Sequence, residues 1–283
     1  MDIAIQGGQA SFHHMAALEH VGCDSVELLA CKTFRQVCEH VTEGRAQLAV
    51  MAVENSLAGG LLPNYSLLME YPLQIIAEVW LHIGQNLMTL PGQSMEDIKI
   101  VRSHPVALLQ CNRFLRQYPN LVLEETWDTA ESARELAEQQ TPGVAVVAGG
   151  LAARTYGMDV LARNIENDPK NYTRFLILAK NRPALLTGRG KASINFKLGH
   201  RPGTLAETLN IFHRHALNLT QIQSLPVQGR PQEYAFHVDV AFLDPAALHA
   251  ALGQLNHLAH DLKLLGIYKK GEKVYDHPSS IPA

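Results

Sequence analysis

The chain has 283 residues, 47% of them apolar, and a formal net charge of -3 with its histidines neutral. That length predicts two or three domains with a sizeable core, and the charge balance gives no reason to expect nucleic acid or an anionic membrane as a partner. No apolar run reaches the length of a membrane span, and no basic-then-apolar leader precedes the strand-like residues 2–6, so the expected location is the cytoplasm. The four cysteines, Cys23, Cys31, Cys38 and Cys111, form no Cys-x-x-Cys pair and read as small buried apolar residues. Among the 14 histidines, neither His213 with His215 nor His257 with His260 has an acidic ligand at helical spacing, so no metal site is expected.

Ile3-Ala4-Ile5 is a short buried-type strand running into Gln6-Gly7-Gly8-Gln9-Ala10-Ser11 and then a helix from Phe12. A strand, a glycine turn and a helix start can cradle an anion, because the first helical amides lack partners. The two glycines fall short of a dinucleotide fingerprint. Phe34, Val37, Cys38 and Val41 repeat at helical spacing, and Leu48 to Val53 is a short apolar run suited to a strand buried on both faces. Glu54-Asn55-Ser56 follow at the carboxyl end of that strand, where parallel sheets place ligands. They read either as ligand-binding groups or as a local turn.

Leu73 to Ile83 is strand-like and is expected to lead into a second lobe. Ile98 to Val101 is another strand, ending in Arg102-Ser103-His104-Pro105. Proline at a first helical turn predicts a helix over 106–116, with Ser103 as its cap and Gln110 about two turns on. Gln110 is either a ligand group or a solvated helix residue. Asp128-Thr129-Ala130-Glu131 is a capping box that occupies Asp128 and leaves Thr129 free. Val144 to Ala148 is a strand and Ala152 to Tyr156 a helix of small residues.

Asn171-Tyr172-Thr173-Arg174-Phe175 precedes the apolar run 175–179. In an extended chain Asn171 and Thr173 share one face and Arg174 takes the other, unless the strand begins after Arg174 and lets it turn back. Arg174 has the side chain best suited to gripping a carboxylate with two parallel hydrogen bonds. Residues 181–190 read as a linker. Beyond it, strands at 192–198, 217–227, 234–242 and 262–268 and helices through Leu205–Phe212 and Leu248–Leu255 give the order βαββαβ, a ferredoxin-like split.

Glu54-Asn55-Ser56 with Gly59, Ser103-His104-Pro105 with Gln110 and Cys111, Asp128-Thr129-Ala130 with Ala133, Tyr156-Gly157, and Asn171 with Thr173-Arg174-Phe175 recur in order. On these motifs the chain resembles the prephenate dehydratases, and residues 191–270 resemble an ACT regulatory domain. The resemblance implies an α/β catalytic domain at 1–180 with two periplasmic-binding-protein-like lobes. Lobe one would hold residues 1–76 and 158–180, and lobe two residues 77–157. A linker (181–190), the ferredoxin-like ACT domain and a loose tail (271–283) would follow.

The implied reaction removes carbon dioxide and the ring hydroxyl of prephenate to give phenylpyruvate. Aromatisation drives it, so no cofactor and no metal are implied. Thr173 would be the catalytic residue beside the departing hydroxyl. Arg174 would hold a carboxylate, and Asn55, Ser56, Ser103, Gln110 and Thr129 would bind substrate. His104 is either a proton donor or a cap ahead of Pro105. Phenylalanine is the implied effector, at Gly203, Thr204 and Leu205 with Asn218, Leu219, Ser224, Leu225 and Pro226. A homodimer or homotetramer is expected. An arogenate dehydratase and a non-catalytic amino-acid-sensing protein are the alternatives.

The chain departs from the family's pattern in three places. Ala10 stands where the opening loop commonly has a glycine, which predicts strain if that position needs a positive φ, and His13-His14 stand where it has Ser-His. Gly203-Thr204-Leu205 and Gln223-Ser224-Leu225-Pro226 replace the regulatory motifs Gly-Ala-Leu and Glu-Ser-Arg-Pro.

Overall fold

The structure is a computed structural model that describes residues 1–181, 188–199, 201–227 and 233–272. Residues 182–187 of the expected linker and 273–283 of the expected tail lie outside them. The first stretch holds β1 (Asp2–Gln6), α1 (Phe12–Val21), β2 (Glu27–Cys31), α2 (Phe34–Thr42), β3 (Leu48–Asn55), β4 (Gly59–Gly60), α3 (Leu62–Glu70) and β5 (Gln74–His82). The second holds β6 (Gln85–Thr89), β7 (Ile100–Ser103), α4 (Pro105–Gln110), α5 (Asn112–Leu115), β8 (Val122–Glu125), α6 (Thr129–Gln139), β9 (Val144–Gly149), α7 (Gly150–Tyr156) and β10 (Asp159–Ala162). The chain then returns as β11 (Tyr172–Ala179) before β12 (Gly190–Lys197), α8 (Thr204–Arg214), β13 (Asn218–Pro226), β14 (Tyr234–Phe242), α9 (Pro245–Leu258) and β15 (His260–Tyr268).

Three sheets result. The first runs β2-β1-β3-β11-β5, with β4 on β3, and the second β10-β6-β9-β7-β8. The third runs β13-β14-β12-β15 with every pair antiparallel, which is the ferredoxin-like arrangement. The fold is therefore mixed α/β, with two sheet-bearing lobes and a C-terminal βαββαβ domain.

Sheet membership shifts the expected lobe boundaries. β5 pairs with β11 through His82, so the outward crossing falls at residues 83–84 rather than after 76. β10 pairs with β6, so residues 159–162 belong to lobe two and the return spans 163–171. Apolar patterning marks a strand without saying where its pairing stops.

Local chemistry explains the elements. Thr33 Oγ1 accepts the Gln36 amide at 3.2 Å and starts α2, whose Val37, Cys38 and Val41 face the core. Strands β3 and β11 are buried over most of their length, as continuous apolar runs require. The expected helix over 106–116 is broken into α4 and α5 at Cys111.

In the C-terminal domain, α8 and α9 cover one face of the sheet around Ile194, Phe212, Val240 and Leu248. The other face lies on lobe one, where Leu225, Leu265 and Tyr268 complete the core that contains Met51, Tyr65 and Leu68. Gly266 permits this approach: a Cβ there would lie 2.1 Å from the Ile75 carbonyl oxygen on β5.

Candidate active site

The carboxyl end of β3 and the start of β11 meet in register, with Thr173 opposite Asn55. Asn55 Oδ1 accepts the amides of Leu57 and Ala58 at 3.0 and 2.9 Å. Those two bonds fix the orientation of the side-chain amide and leave Nδ2 as the donor. It donates to Thr173 Oγ1 at 3.0 Å and to Asn171 Oδ1 at 2.7 Å. Asn171 Nδ2 in turn donates to Gln110 Oε1 at 3.2 Å, across the gap to lobe two. A directed chain of neutral groups therefore links the lobes.

The direction leaves two donors over. Among the described residues the Thr173 hydroxyl accepts from Asn55 but has no acceptor for its own proton. Gln110 Nε2 likewise has none, since its oxygen takes the bond from Asn171. Gln110 is half-buried at the last position of α4, where the break at Cys111 ends the helix.

The second crossing is laced to the first beside this chain. The Ile83 amide donates to the Asn171 carbonyl at 2.8 Å, and the Gln85 amide to Glu166 Oε2 at 2.8 Å. At the far side of the cleft the opening loop of lobe one docks on lobe two. Tyr156 Oη donates to the Gln9 carbonyl at 3.0 Å, and Ala10 is buried among Met88, Ala130 and Ala148. Ala10 has φ 66°, so the backbone keeps the left-handed conformation that favours glycine. Its amide donates to His14 Nδ1 at 3.0 Å, and Ser11 caps α1 by accepting the His14 amide at 3.3 Å. These bonds account for Ser11 and His14.

Burial sets the protonation states of nearby groups. Desolvation pushes His13 down to about 4, with its ring edge-on to Phe175 at 5.1 Å. The Cys111 thiol is pushed up to about 12 by burial, reinforced by the Glu166 charge, so it is no thiolate nucleophile. Among the described residues no group of three or more His, Cys, Asp or Glu is placed to hold a metal ion.

Several sequence-assigned residues are placed elsewhere. Arg174 does not reach the cleft: it is buried on the opposite face of β11 and bonded to Glu78, Asp239 and Tyr268. Strand alternation sends it there, and the carboxylates that meet it belong to the protein. Ser103 is fully buried and its hydroxyl donates to the Val147 carbonyl at 2.6 Å, so it neither caps α4 nor faces a substrate. His104 is the cap instead, accepting the Val106 amide at 3.2 Å. Ser56 is exposed and clamps the crossing, donating to the Lys170 carbonyl at 2.8 Å and accepting the Tyr172 amide at 2.9 Å. Thr129 is half-buried at the first position of α6, behind the Asp128 cap. Asn171, the link between Asn55 and Gln110, was visible only as the first residue of a motif.

The expected effector residues are dispersed. A hollow lies between Leu198, Arg201, Thr204, Leu205, Tyr234 and Phe236. Gly203 precedes α8 with φ 90°. Ser224 and Pro226 pair with Phe236 and Tyr234 on the neighbouring strand. Leu225 points the other way, into the core shared with lobe one, and is no effector contact. Asn218 and Leu219 pair with Ala241 and Val240 at the far end of β13, away from the hollow.

Two sheet-bearing lobes joined by two crossings, a polar hydrogen-bond chain between them and an appended βαββαβ domain define a two-lobed protein with an accessory domain. A family model described as prephenate dehydratase matches residues 3–183. The bifunctional chorismate mutase/prephenate dehydratase of Aquifex aeolicus is 35% identical over 270 residues, 95% of this chain and 73% of the relative. Arogenate dehydratase 2 of Petunia hybrida is 37% identical over 285 residues, 94% and 71% of the two chains. Among solved structures, a prephenate dehydratase from Arthrobacter aurescens in complex with L-Phe superposes with a TM-score of 0.85 at 27% identity, over 100% of this chain and 93% of that one. GqqA, described as a quorum quenching acylase, also has a TM-score of 0.85, at 29% identity over 95% and 98%. The chain belongs to the prephenate dehydratase family and is an enzyme of that type.

Proposed function

We propose that this chain converts prephenate to phenylpyruvate, with Thr173 donating a hydrogen bond to the departing ring hydroxyl. The observation that carries the reading is the orientation imposed by Asn55, which occupies an acceptor site of Thr173 and leaves its O–H proton unspent. As the carbon–oxygen bond breaks, negative charge builds on the leaving oxygen. A positioned donor stabilises that charge more than the ground state. Gln110 Nε2, on the opposite wall, would hold a substrate oxygen and tie lobe closure to binding.

The groups of the Asn55–Gln110 chain are neutral, so the substrate's two carboxylates would rest on directed dipoles and helix starts rather than on Arg174. Thr129, first in α6, would make such a contact. An acylase reading asks for an activated nucleophile. Among the described residues the hydrogen-bond neighbour of Thr173 is an amide, with no histidine or carboxylate bonded to it, which favours dehydration. Arogenate is the second reading, supported by the 37% identity to a plant arogenate dehydratase.

Phenylalanine is the effector we assign to the hollow beside Thr204 and Leu205, in keeping with the L-Phe complex of the Arthrobacter relative. A dimer or tetramer is the assembly this reading expects. Among the described residues no helix is long and apolar enough to cross a membrane. Purified protein given prephenate, then arogenate, each with and without phenylalanine, tests the reading. Phenylpyruvate formed from prephenate supports it; turnover of arogenate alone replaces it with the second reading.

A further inference from the structure

Arg174 follows Thr173 directly on β11 and is buried among groups from two domains. Its Nε donates to Glu78 Oε2 at 2.7 Å, within lobe one. Its Nη1 lies 2.6 Å from Asp239 Oδ2, and Nη2 donates to Tyr268 Oη at 3.0 Å, both in the C-terminal domain. The cluster is closed further by Lys191 Nζ, 2.8 Å from Glu78 and 3.5 Å from Asp239. Ser193 Oγ donates to Asp239 Oδ1 at 2.5 Å, and His237 Nε2 lies 3.2 Å from the same oxygen.

The backbone at this point is irregular. Thr173 and Arg174 pair with Asn55 and Glu54, but Phe175 pairs with Ala52, so β3 carries an extra residue there. Such a bulge re-aims the side chains beside it, and their direction then depends on what anchors them. The segment after Asn55 also meets the C-terminal domain. Gly60, opposite Glu54 on β4, sits where a Cβ would be 3.4 Å from Gln223 Oε1. Tyr65, on the helix that follows, accepts from Gln221 Nε2 at 3.2 Å and packs on the His237 ring at 4.7 Å. Thr173 is therefore followed directly by a residue that the C-terminal domain holds, and the β4–α3 segment next to Asn55 meets the same domain.

We propose that Arg174 is a positioning residue: Asp239 and Tyr268, acting through it, set the placement of the Thr173 hydroxyl. The C-terminal domain is then part of the active-site scaffold, and disturbing its grip on Arg174 alters turnover rather than substrate affinity. The kinetic consequence rests on the dehydratase reading; the mechanical one does not.

The test uses the full chain with Tyr268→Phe, which removes a single hydroxyl, and Asp239→Asn, which removes the charge. Steady-state kinetics with prephenate and hydrogen exchange of segment 171–176 are measured on both. Tyr268→Phe is expected to lower kcat about tenfold, short of the ~10²-fold that ångström-scale misplacement costs. KM should stay within about twofold, since an interaction felt only in the transition state lowers kcat alone. Exchange in 171–176 should rise while that of Val144–Gly149 in lobe two stays unchanged. Folded Tyr268→Phe with wild-type kcat and wild-type exchange overturns the proposal, and so does a raised KM with kcat intact. If Asp239→Asn does not fold, Tyr268→Phe decides alone. A wild-type chain that leaves prephenate and arogenate untouched breaks only the dehydratase reading, and the exchange measurement then decides the positioning role.

Discussion

The two faces of β11 solve opposite problems with adjacent residues. On the cleft face, Thr173 sits in a chain of neutral amides in which each group points the next and two donors remain unspent. On the back face, Arg174 sits among Glu78, Asp239 and Lys191, all buried and all paired. Burial alone would push the Asp239 carboxyl up, but Arg174, His237 and Lys191 together hold it well below the usual carboxylate range. Burial equally opposes the charge on Arg174, and Asp239 with its neighbours overrides it. Charges in a dry interior fix geometry firmly, but each must keep its partner. Neutral groups facing a cleft tolerate being left open, which is what a site awaiting a ligand requires. A buried arginine next to a polar chain can thus serve the protein's own architecture.

The comparison breaks most severely if the charged face is not structural. Arg174→Ala leaves the two buried carboxylates of Glu78 and Asp239 to share Lys191, so it should destabilise the chain by about 3–5 kcal/mol. Chemical denaturation reads this directly. A loss of under about 1 kcal/mol, typical of an exposed pair, would mean that the cluster contributes little.

The cleft face sharpens next. Gln110→Ala removes the unspent donor of lobe two and the acceptor of Asn171 together. An expected rise in KM of about tenfold corresponds to one hydrogen bond to a charged group. An unchanged KM would remove Gln110 from the substrate-binding wall.

His13 lies against Phe175, and burial holds it down to about 4. A histidine with a depressed folded pKa contributes stability that is full above its unfolded value of about 6.5. That contribution is lost as pH falls toward about 4, at up to ~1.4 kcal/mol per pH unit. His13→Phe should flatten the stability profile across that window, as measured by denaturation at successive pH values. An identical slope in both proteins would show that His13 titrates normally.

The smallest effect belongs to the loop that closes the cleft. Ala10 occupies φ 66°, which costs an alanine about 1–2 kcal/mol that a glycine avoids. Ala10→Gly should therefore raise stability by a net ~1 kcal/mol or less, after the glycine's greater unfolded-state freedom is counted. A lower melting temperature would indicate that the methyl's packing against Met88 and Ala148 outweighs the strain.

Much of this was legible in the residues. The alternation of an extended chain already separates Thr173 from Arg174, and the βαββαβ order of the last domain follows from strand and helix periods alone. Asp128 was readable as a cap because its partner lies three residues on. What local patterns do not carry is contact at long separation. Glu78 and Asp239 are 96 and 65 positions from Arg174 and have no motif of their own, so the carboxylate Arg174 would grip was assigned to substrate. Ser103 misled for the same reason, because its acceptor, the Val147 carbonyl, is set by strand pairing across the sheet. The lobe boundaries slipped because an apolar strand looks the same whichever sheet it joins.

The turnover of Thr173→Ala and Thr173→Ser with prephenate, followed by the appearance of phenylpyruvate, tests the role of the Thr173 hydroxyl most directly. A donor acting only on the departing oxygen predicts a loss of at least about a hundredfold in kcat for the alanine variant, ~2.7 kcal/mol of barrier, with KM little changed. The serine variant, which keeps the donor, should recover a large part of that loss. An alanine variant that turns over near the wild-type rate would contradict that role.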